Sequence, residues 1–396
     1  MQQLLNANQK RIESIDLLRG VIMIIMALDH TRDLFHKEAF TGDPLDPATT
    51  TPVLYFTRWV THFCAPAFVF LSGVSAWLQS RRKTKKELSR FLITRGLWLI
   101  LVDLFIMSLA LTGDIYYDLF VLETLWSIGI SMVILGLMIR LPFNIVLVTG
   151  GLIFFGHNLI DFAEKSRSAV PLWWSLLHRP TIAPLWANHS LFILYPFLSW
   201  TGLMLLGYCC GRLFTGMTPE RRKKILLWAG VGALVLFAVL RIINIYGDPL
   251  HWSEQKNTMA TFFSFMNVQK YPPSLLFLCA TTGPGLIFLA LVKNTGSRLS
   301  KIISVYGRVP LFYFTVHFFL LHIVSVICYL LRGHSLAEGI KGVPGLPFKF
   351  AIPGEGYSLW IVYGIWMAVV VGLYPVCNWY DKYKTHHKEK WWLSYL

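Results

Sequence analysis

IDLLRGVIMIIMALDHTRDLFH, residues 15–36, is an apolar run as long as a bilayer core is thick, yet it carries a guanidinium near its start and a charged cluster at its end. The run lacks a small-residue cleavage site and charged residues follow it, so it is expected to stay as a first transmembrane helix and not be removed as a signal peptide. Arg19 and His30 lie eleven steps apart. At 100° per residue that is about three turns, which sets both on one helical face roughly 16 Å apart along the axis. Asp33 follows His30 at i+3 on nearly the same face, and Asp29 and Arg32 flank it.

The rest of the chain repeats the apolar theme. It is 396 residues long, 55% hydrophobic and only 14% charged, with a mean hydropathy of +0.53. A soluble fold cannot hide that much apolar surface. Spans are expected at 17–36, 53–79, 91–111, 119–139, 142–160, 190–214, 225–246, 273–292, 303–331 and 358–378. With the N-terminus inside, the basic segments 81–90, 218–224, 293–301 and 381–390 all fall on one side. About 24 of the 36 Lys and Arg then sit on that side, which is the positive-inside bias. The expected fold is an all-α polytopic transmembrane bundle of about ten helices, N-in and C-in, forming one domain over 1–396.

The formal charge of +15 is explained by these loops, which excludes nucleic acid as the natural partner. The six cysteines, Cys64, Cys209, Cys210, Cys279, Cys328 and Cys377, lie in or beside apolar runs, with no CxxC pair and no His/Cys metal cluster. They read as small buried hydrophobes, and no metal is expected.

Ionisable residues inside spans usually face a bundle interior or a cavity. In PVLYFTRWVTHFCAPAFVFLSG, residues 52–73, Arg58 and His62 are one turn apart, Pro66 is positioned to kink the helix, and Ser72-Gly73 permits close helix packing. In YGRVPLFYFTVHFFLLH, residues 306–322, Tyr313 and His317 share a face, His322 is rotated away, and Arg308 sits near the inner end. Glu123 stands near the outer end of the fourth span. Depth arithmetic therefore puts His30, His62 and His317 in the outer half and Arg19 and Arg308 at the inner end. A cationic end suits phosphates, and a carboxylate-oriented imidazole suits proton abstraction. The plainer reading also stands: DHTRD as an interfacial polar cap, and Arg19 as a snorkelling topology anchor.

Asp16-Leu17-Leu18-Arg19-Gly20 followed by His30 resembles the R-x10-H signature of membrane-bound acyltransferases of the acyltransferase-3 type. The chain is still more similar to a related group, the bacterial relatives of heparan-alpha-glucosaminide N-acetyltransferase. That likeness rests on LDHTRD (28–33), PAFVFLSG (66–73), LYPFLSWTGLMLLGYCCG (194–211), KYPPSLLFLCATTGPGL (270–286), YGRVPLFYFTVHF (306–318) and KEKWWLSYL (388–396). The animal heparan enzyme differs at the position of His30, where it has Asn. The resemblance implies an enzyme of the cytoplasmic (inner) membrane, with a site opening to both faces. It would move an acyl group, usually acetyl, from cytoplasmic acetyl-CoA to an extracytoplasmic sugar or glycan amine or hydroxyl.

The roles expected on this reading are His30 as general base or acyl carrier, with Asp33 or Asp29 orienting it. His317 or Tyr313 would stabilise the oxyanion, and Arg19 and Arg308, with Tyr313, would hold the coenzyme. His62, Arg32 and Glu123 would face the acceptor. Membrane lipids are the other expected partners. Two further classes fit the residues alone: a proton-coupled secondary transporter, and a non-catalytic lipid- or glycan-binding membrane protein.

Overall fold

The computed structural model describes residues 12–164, 170–292 and 295–394. Lys293 and Asn294 of the expected basic loop, Tyr395 and Leu396 of the terminal segment, and residues 1–11 lie outside that set. The helices, in order, are α1 Glu13–Phe35, α2 Pro52–Val60, α3 Cys64–Ser80, α4 Lys85–Leu101, α5 Ser108–Thr112, α6 Thr124–Met138, α7 Phe143–Gly156, α8 Leu159–Glu164 and α9 Leu172–Leu177. Then come α10 Leu198–Gly211, α11 Leu213–Gly216, α12 Pro219–Ile243, α13 Thr258–Met266, α14 Leu275–Leu291, α15 Arg298–Arg308, α16 Pro310–Leu331, α17 Leu336–Lys341 and α18 Leu359–His386.

This is an all-α membrane bundle. Five helical stretches are long and apolar enough to cross a bilayer: 52–80, 85–112, 219–243, 310–331 and 359–386. Each of the other expected spans contains a helix too. α1, 23 residues long, is more highly charged than those five. It can be, because α3, α14, α15, α16 and α18 all pack against it and take the place of lipid.

Three expected spans depart furthest from a simple helix. Segments 119–139 and 190–214 each begin as a strand, β1 Leu119–Leu122 and β3 Ser190–Ile193. With β2 Thr181–Pro184 they form a sheet ordered β1-β3-β2, in which β1 and β3 run parallel from Leu119↔Ser190 and β2 is antiparallel. LFVL and SLFI are rich in aromatic and branched residues that suit a half-buried pleat, and the sheet pairs backbone groups that a bilayer would leave unsatisfied. Segment 303–331 breaks between α15 and α16. Pro310 has no N–H and crowds the residue before it, so Val309 leaves helical geometry at φ −126°, ψ 48°. Arg308 thus ends an amphipathic helix separate from the one that bears His317.

Pro66 acts as expected. The α2–α3 rod passes through a 3-10 turn at Thr61–Phe63, one turn before the proline, where the i−4 carbonyl of His62 loses its donor.

Close glycine crossings hold the bundle. A Cβ on Gly73 would lie 2.2 Å from the Met204 carbonyl oxygen, and one on Gly207 would lie 2.3 Å from that of Phe70, so α3 and α10 touch backbone to backbone. Between α1 and α15 the fit is tighter. A Cβ on Gly307 would sit 1.9 Å from the Asp16 carbonyl oxygen, and one on Gly20 would sit 2.1 Å from that of Ile303. Neither obstacle is a side chain that can swing away. Gly307→Ala is therefore expected to push α15 off α1 and cost about 1–3 kcal/mol, read as a fall in thermal midpoint in detergent; an unchanged midpoint would contradict the packing.

Candidate active site

A cavity of about 540 Å³ follows α1 from one end of its charged face to the other. That volume lies in the range of small-molecule and cofactor sites. Arg19, Arg95, Arg308 and Lys384 line it towards the end of the bundle that carries the basic loop 81–84 and the C-terminal tail. Asp29, His30, Asp33, Arg58, Glu123 and Lys270 line it towards the end that carries the sheet. Met23, Met26, Leu92 and Leu99 form the apolar wall between. Arg19 and His30 share one channel, as the helical arithmetic requires.

The orientation of His30 follows from a chain of hydrogen bonds. His317 Nδ1 is 2.9 Å from the carbonyl oxygen of Tyr313, one turn earlier on α16. A carbonyl only accepts, so that nitrogen carries the proton and His317 Nε2 presents a lone pair. His30 Nδ1 lies 2.8 Å from this Nε2 and, with His317 neutral, donates to it. The Nε2 of His30 is left as the unprotonated nitrogen. Phe318, with its centroid 4.0 Å from that of His30, and Phe314 pack round the ring. This is the arrangement of an oriented base, with a second imidazole where a carboxylate is more usual.

The carboxylates do something else, which corrects the expectation that Asp29 or Asp33 orients His30. Asp29 Oδ2 accepts from Arg58 at 2.7 Å and lies 4.0 Å from Lys270 Nζ, while its Oδ1 accepts from Arg32 at 3.3 Å. Asp33 accepts from Arg32 at 2.5 Å. Residues 29–33 bring three cations and two carboxylates into one buried network beside the imidazole, because α1 presents Asp29, Arg32 and Asp33 within a single turn.

Arg19 donates to Ser75 Oγ at 2.9 Å and to the Gly307 carbonyl at 3.2 Å, with Asp16 3.6 Å away. Arg308 pairs with Asp381 at 2.7 Å. Glu123 is set by Asp103, whose Oδ2 accepts from the backbone N–H of Glu123 (2.7 Å) and of Trp126 (2.9 Å) at the head of α6. Asp103 lies in a wide turn, Val102–Met107, that departs from α-helical pairing.

Other candidates lie off the cavity wall. His317 and Tyr313 stand behind His30, both fully buried, with their rings stacked at 5.1 Å; the Tyr313 hydroxyl faces no partner and does not reach the channel. Neither is placed to meet an oxyanion there, and Tyr313 is not placed to meet a coenzyme. Arg32 is buried against the two aspartates. His62 is buried in the 3-10 turn, 5.2 Å from the Phe277 ring. His322 packs under Gly113. His36, just beyond α1, bridges to Tyr357.

Lys270, Tyr271, Tyr195, Arg95 and Lys384 also line the cavity and were not among the expected site residues. Two carried a usable mark. Arg95 is a charge inside an apolar span, and Lys270 is an isolated lysine at the head of the apolar helix α14. Tyr195 and Tyr271 carried none, since tyrosine is common throughout the chain.

A charge-lined channel that holds a hydrogen-bonded imidazole thus runs within a bundle of apolar helices. Residues 11–242 match the family described as heparan-alpha-glucosaminide N-acetyltransferase, catalytic. The match spans more than half the chain, and this protein belongs to that family of membrane acetyltransferases. No curated protein matches the chain. Arg308 and His317 lie beyond the matched stretch, yet both complete the site built on α1.

Proposed function

We propose that the protein transfers an acetyl group from acetyl-CoA to an amine or hydroxyl of a sugar or glycan on the other side of the inner membrane. The chain acts as one domain, N-in and C-in, so that the arginine-lined end of the cavity faces the cytoplasm and the sheet faces outward. One observation carries the reading: His30, with Nδ1–H donated to His317 and Nε2 free to accept, shares a channel with Arg19.

Arg19, Arg308, Arg95 and Lys384 supply the positive potential for the coenzyme phosphates. The pantetheine arm follows the apolar wall, and its length is on the order of the 16 Å rise from Arg19 to His30. The acceptor enters between Glu123, Lys270 and Tyr195. His30 Nε2 removes a proton from the acceptor as its nitrogen or oxygen attacks the thioester carbonyl, and the tetrahedral adduct expels the coenzyme thiolate, which takes the proton back from His30. Lys270 and Arg58 add positive potential beside the developing oxyanion. Attack by His30 Nε2 on the thioester, giving a transient acetyl-imidazole, uses the same geometry.

The test is to give purified, reconstituted protein labelled acetyl-CoA and a panel of amino-sugar and sugar acceptors. Acceptor-dependent release of free coenzyme is expected, with intersecting double-reciprocal plots for direct transfer and parallel ones for an acetyl-enzyme. Arg19→Ala is expected to raise KM for acetyl-CoA about 10- to 100-fold through loss of a charge-assisted contact, with a smaller effect on kcat. Solute transport without coenzyme release would overturn the proposal in favour of a transporter.

A further inference from the structure

We propose that Asp161, Glu164 and His178 form a binding site for a divalent transition cation such as Zn²⁺, separate from the cavity, which braces the segment joining α7 to the sheet. A ligand atom from each residue lies within 4.8 Å of those of the other two. The sequence hides the set, because the histidine is fourteen residues from the nearer carboxylate. The fold brings it back through α9, where the Trp174 carbonyl accepts from the His178 backbone N–H at 2.8 Å.

The protonation of the imidazole is the decisive detail. His178 is fully buried, with Nδ1 3.2 Å from Glu164 Oε1. That oxygen also accepts from Trp174 Nε1 at 2.5 Å. A carboxylate can only accept, so Nδ1 donates to it, and Nε2 points to the other side of the ring. Nε2 has no hydrogen-bond partner and faces Asp161 Oδ1 at 3.9 Å. An imidazolium Nε2–H would close on that carboxylate to about 2.8 Å, the length of a charge-assisted bond. A gap of 3.9 Å is too long for that bond. It leaves room for one metal ion between the two atoms, which would draw in to about 3.4 Å when each sits about 2.1 Å from it in a tetrahedral shell.

The surroundings are those of a built site. Asn158 Nδ2 donates to Asp161 Oδ2 at 2.7 Å, which turns the other carboxylate oxygen towards His178. The Glu164 contact to Nδ1 is the outer support that metal-bound histidines characteristically have. His157, whose ring lies 6.1 Å from that of His178, is already committed, with both its nitrogens facing backbone carbonyls. An imidazole nitrogen beside one carboxylate, with Glu164 behind the ring, favours Zn²⁺ and its neighbours over Mg²⁺ or Ca²⁺, which prefer all-oxygen shells, and water completes the coordination.

The brace reaches the rim of the channel. Asn158 Oδ1 accepts from the Leu275 backbone N–H at 2.7 Å, just after Lys270 and Tyr271, and the chain beyond His178 runs into the sheet that presents Phe192 to the cavity.

The experiment uses the full chain in detergent, stripped with EDTA and titrated with Zn²⁺ by calorimetry, with metal content and thermal midpoint read in parallel. One ion per chain is expected, with a dissociation constant below about 100 µM and a midpoint that rises with free Zn²⁺. Asp161→Asn and His178→Asn are expected to weaken binding at least 100-fold, and Glu164→Gln about 10- to 100-fold, the usual effect of an outer-shell partner. The wild-type titration stands on its own if the variants fail to fold. No uptake by the stripped wild type, or uptake that persists undiminished in Asp161→Asn and His178→Asn, overturns the proposal.

Discussion

Purified His30→Ala is expected to lose about 10²- to 10⁴-fold in kcat for acetyl transfer while keeping nearly the wild-type affinity for acetyl-CoA, the magnitude general base catalysis usually supplies. The split follows from the geometry. Arg19, proposed to hold the coenzyme phosphates, stands about three helical turns from the imidazole, so removing the ring leaves that proposed anchor in place. Equal losses in kcat and donor affinity would instead mean that His30 positions the coenzyme. His317 provides the control. His317→Gln keeps an acceptor for the His30 Nδ1 proton, whereas His317→Ala removes it and frees His30 to adopt either tautomer. Glutamine is expected to restore a good part of the activity that alanine loses; equal activity in the two variants would show that the hydrogen bond at 2.8 Å does not orient the base.

The second large effect concerns folding. Asp29 is the only carboxylate that touches Arg58, Arg32 and Lys270 together, among the described residues, and its side chain is only 12% exposed. Asp29→Asn keeps the shape and removes the charge, leaving cations that neither water nor a partner fully compensates. Breaking a buried ion pair from one side costs about 3–5 kcal/mol, and that loss is expected here as a sharp fall in thermal midpoint and in yield of folded protein. Asp33→Asn is the comparison. Asp33 meets a single arginine and its side chain is 32% exposed, so about 1 kcal/mol or less is expected. Equal effects at the two positions would mean that solvent screens the network throughout, and that the clustering at residues 29–33 is an interfacial cap.

Much of the scaffold could be read from local pattern. Runs of about twenty apolar residues allow few structures in a bilayer. The structure departs from that pattern where distant segments decide. Strands 119–122 and 190–193 were absorbed into neighbouring spans because LFVL and SLFI are apolar by composition and gain their identity only by pairing with each other. Pro310 marked a break that apolarity on either side concealed. Sequence proximity pairs Asp29 with its neighbour His30. In the folded chain its partners are Arg58 and Lys270, and nothing local in the sequence states that they stand closer.

The periodicity of α1 by itself determined that a guanidinium and an imidazole share one face, three turns apart, since a helix repeats with a fixed rise whatever surrounds it. The tertiary structure alone decided which nitrogen of His30 is taken up by a hydrogen bond and which is left facing the channel. That choice belongs to His317, 287 residues away on a helix that meets α1 only once the bundle closes, and a hydrogen bond depends on tenths of an ångström that hydropathy does not encode.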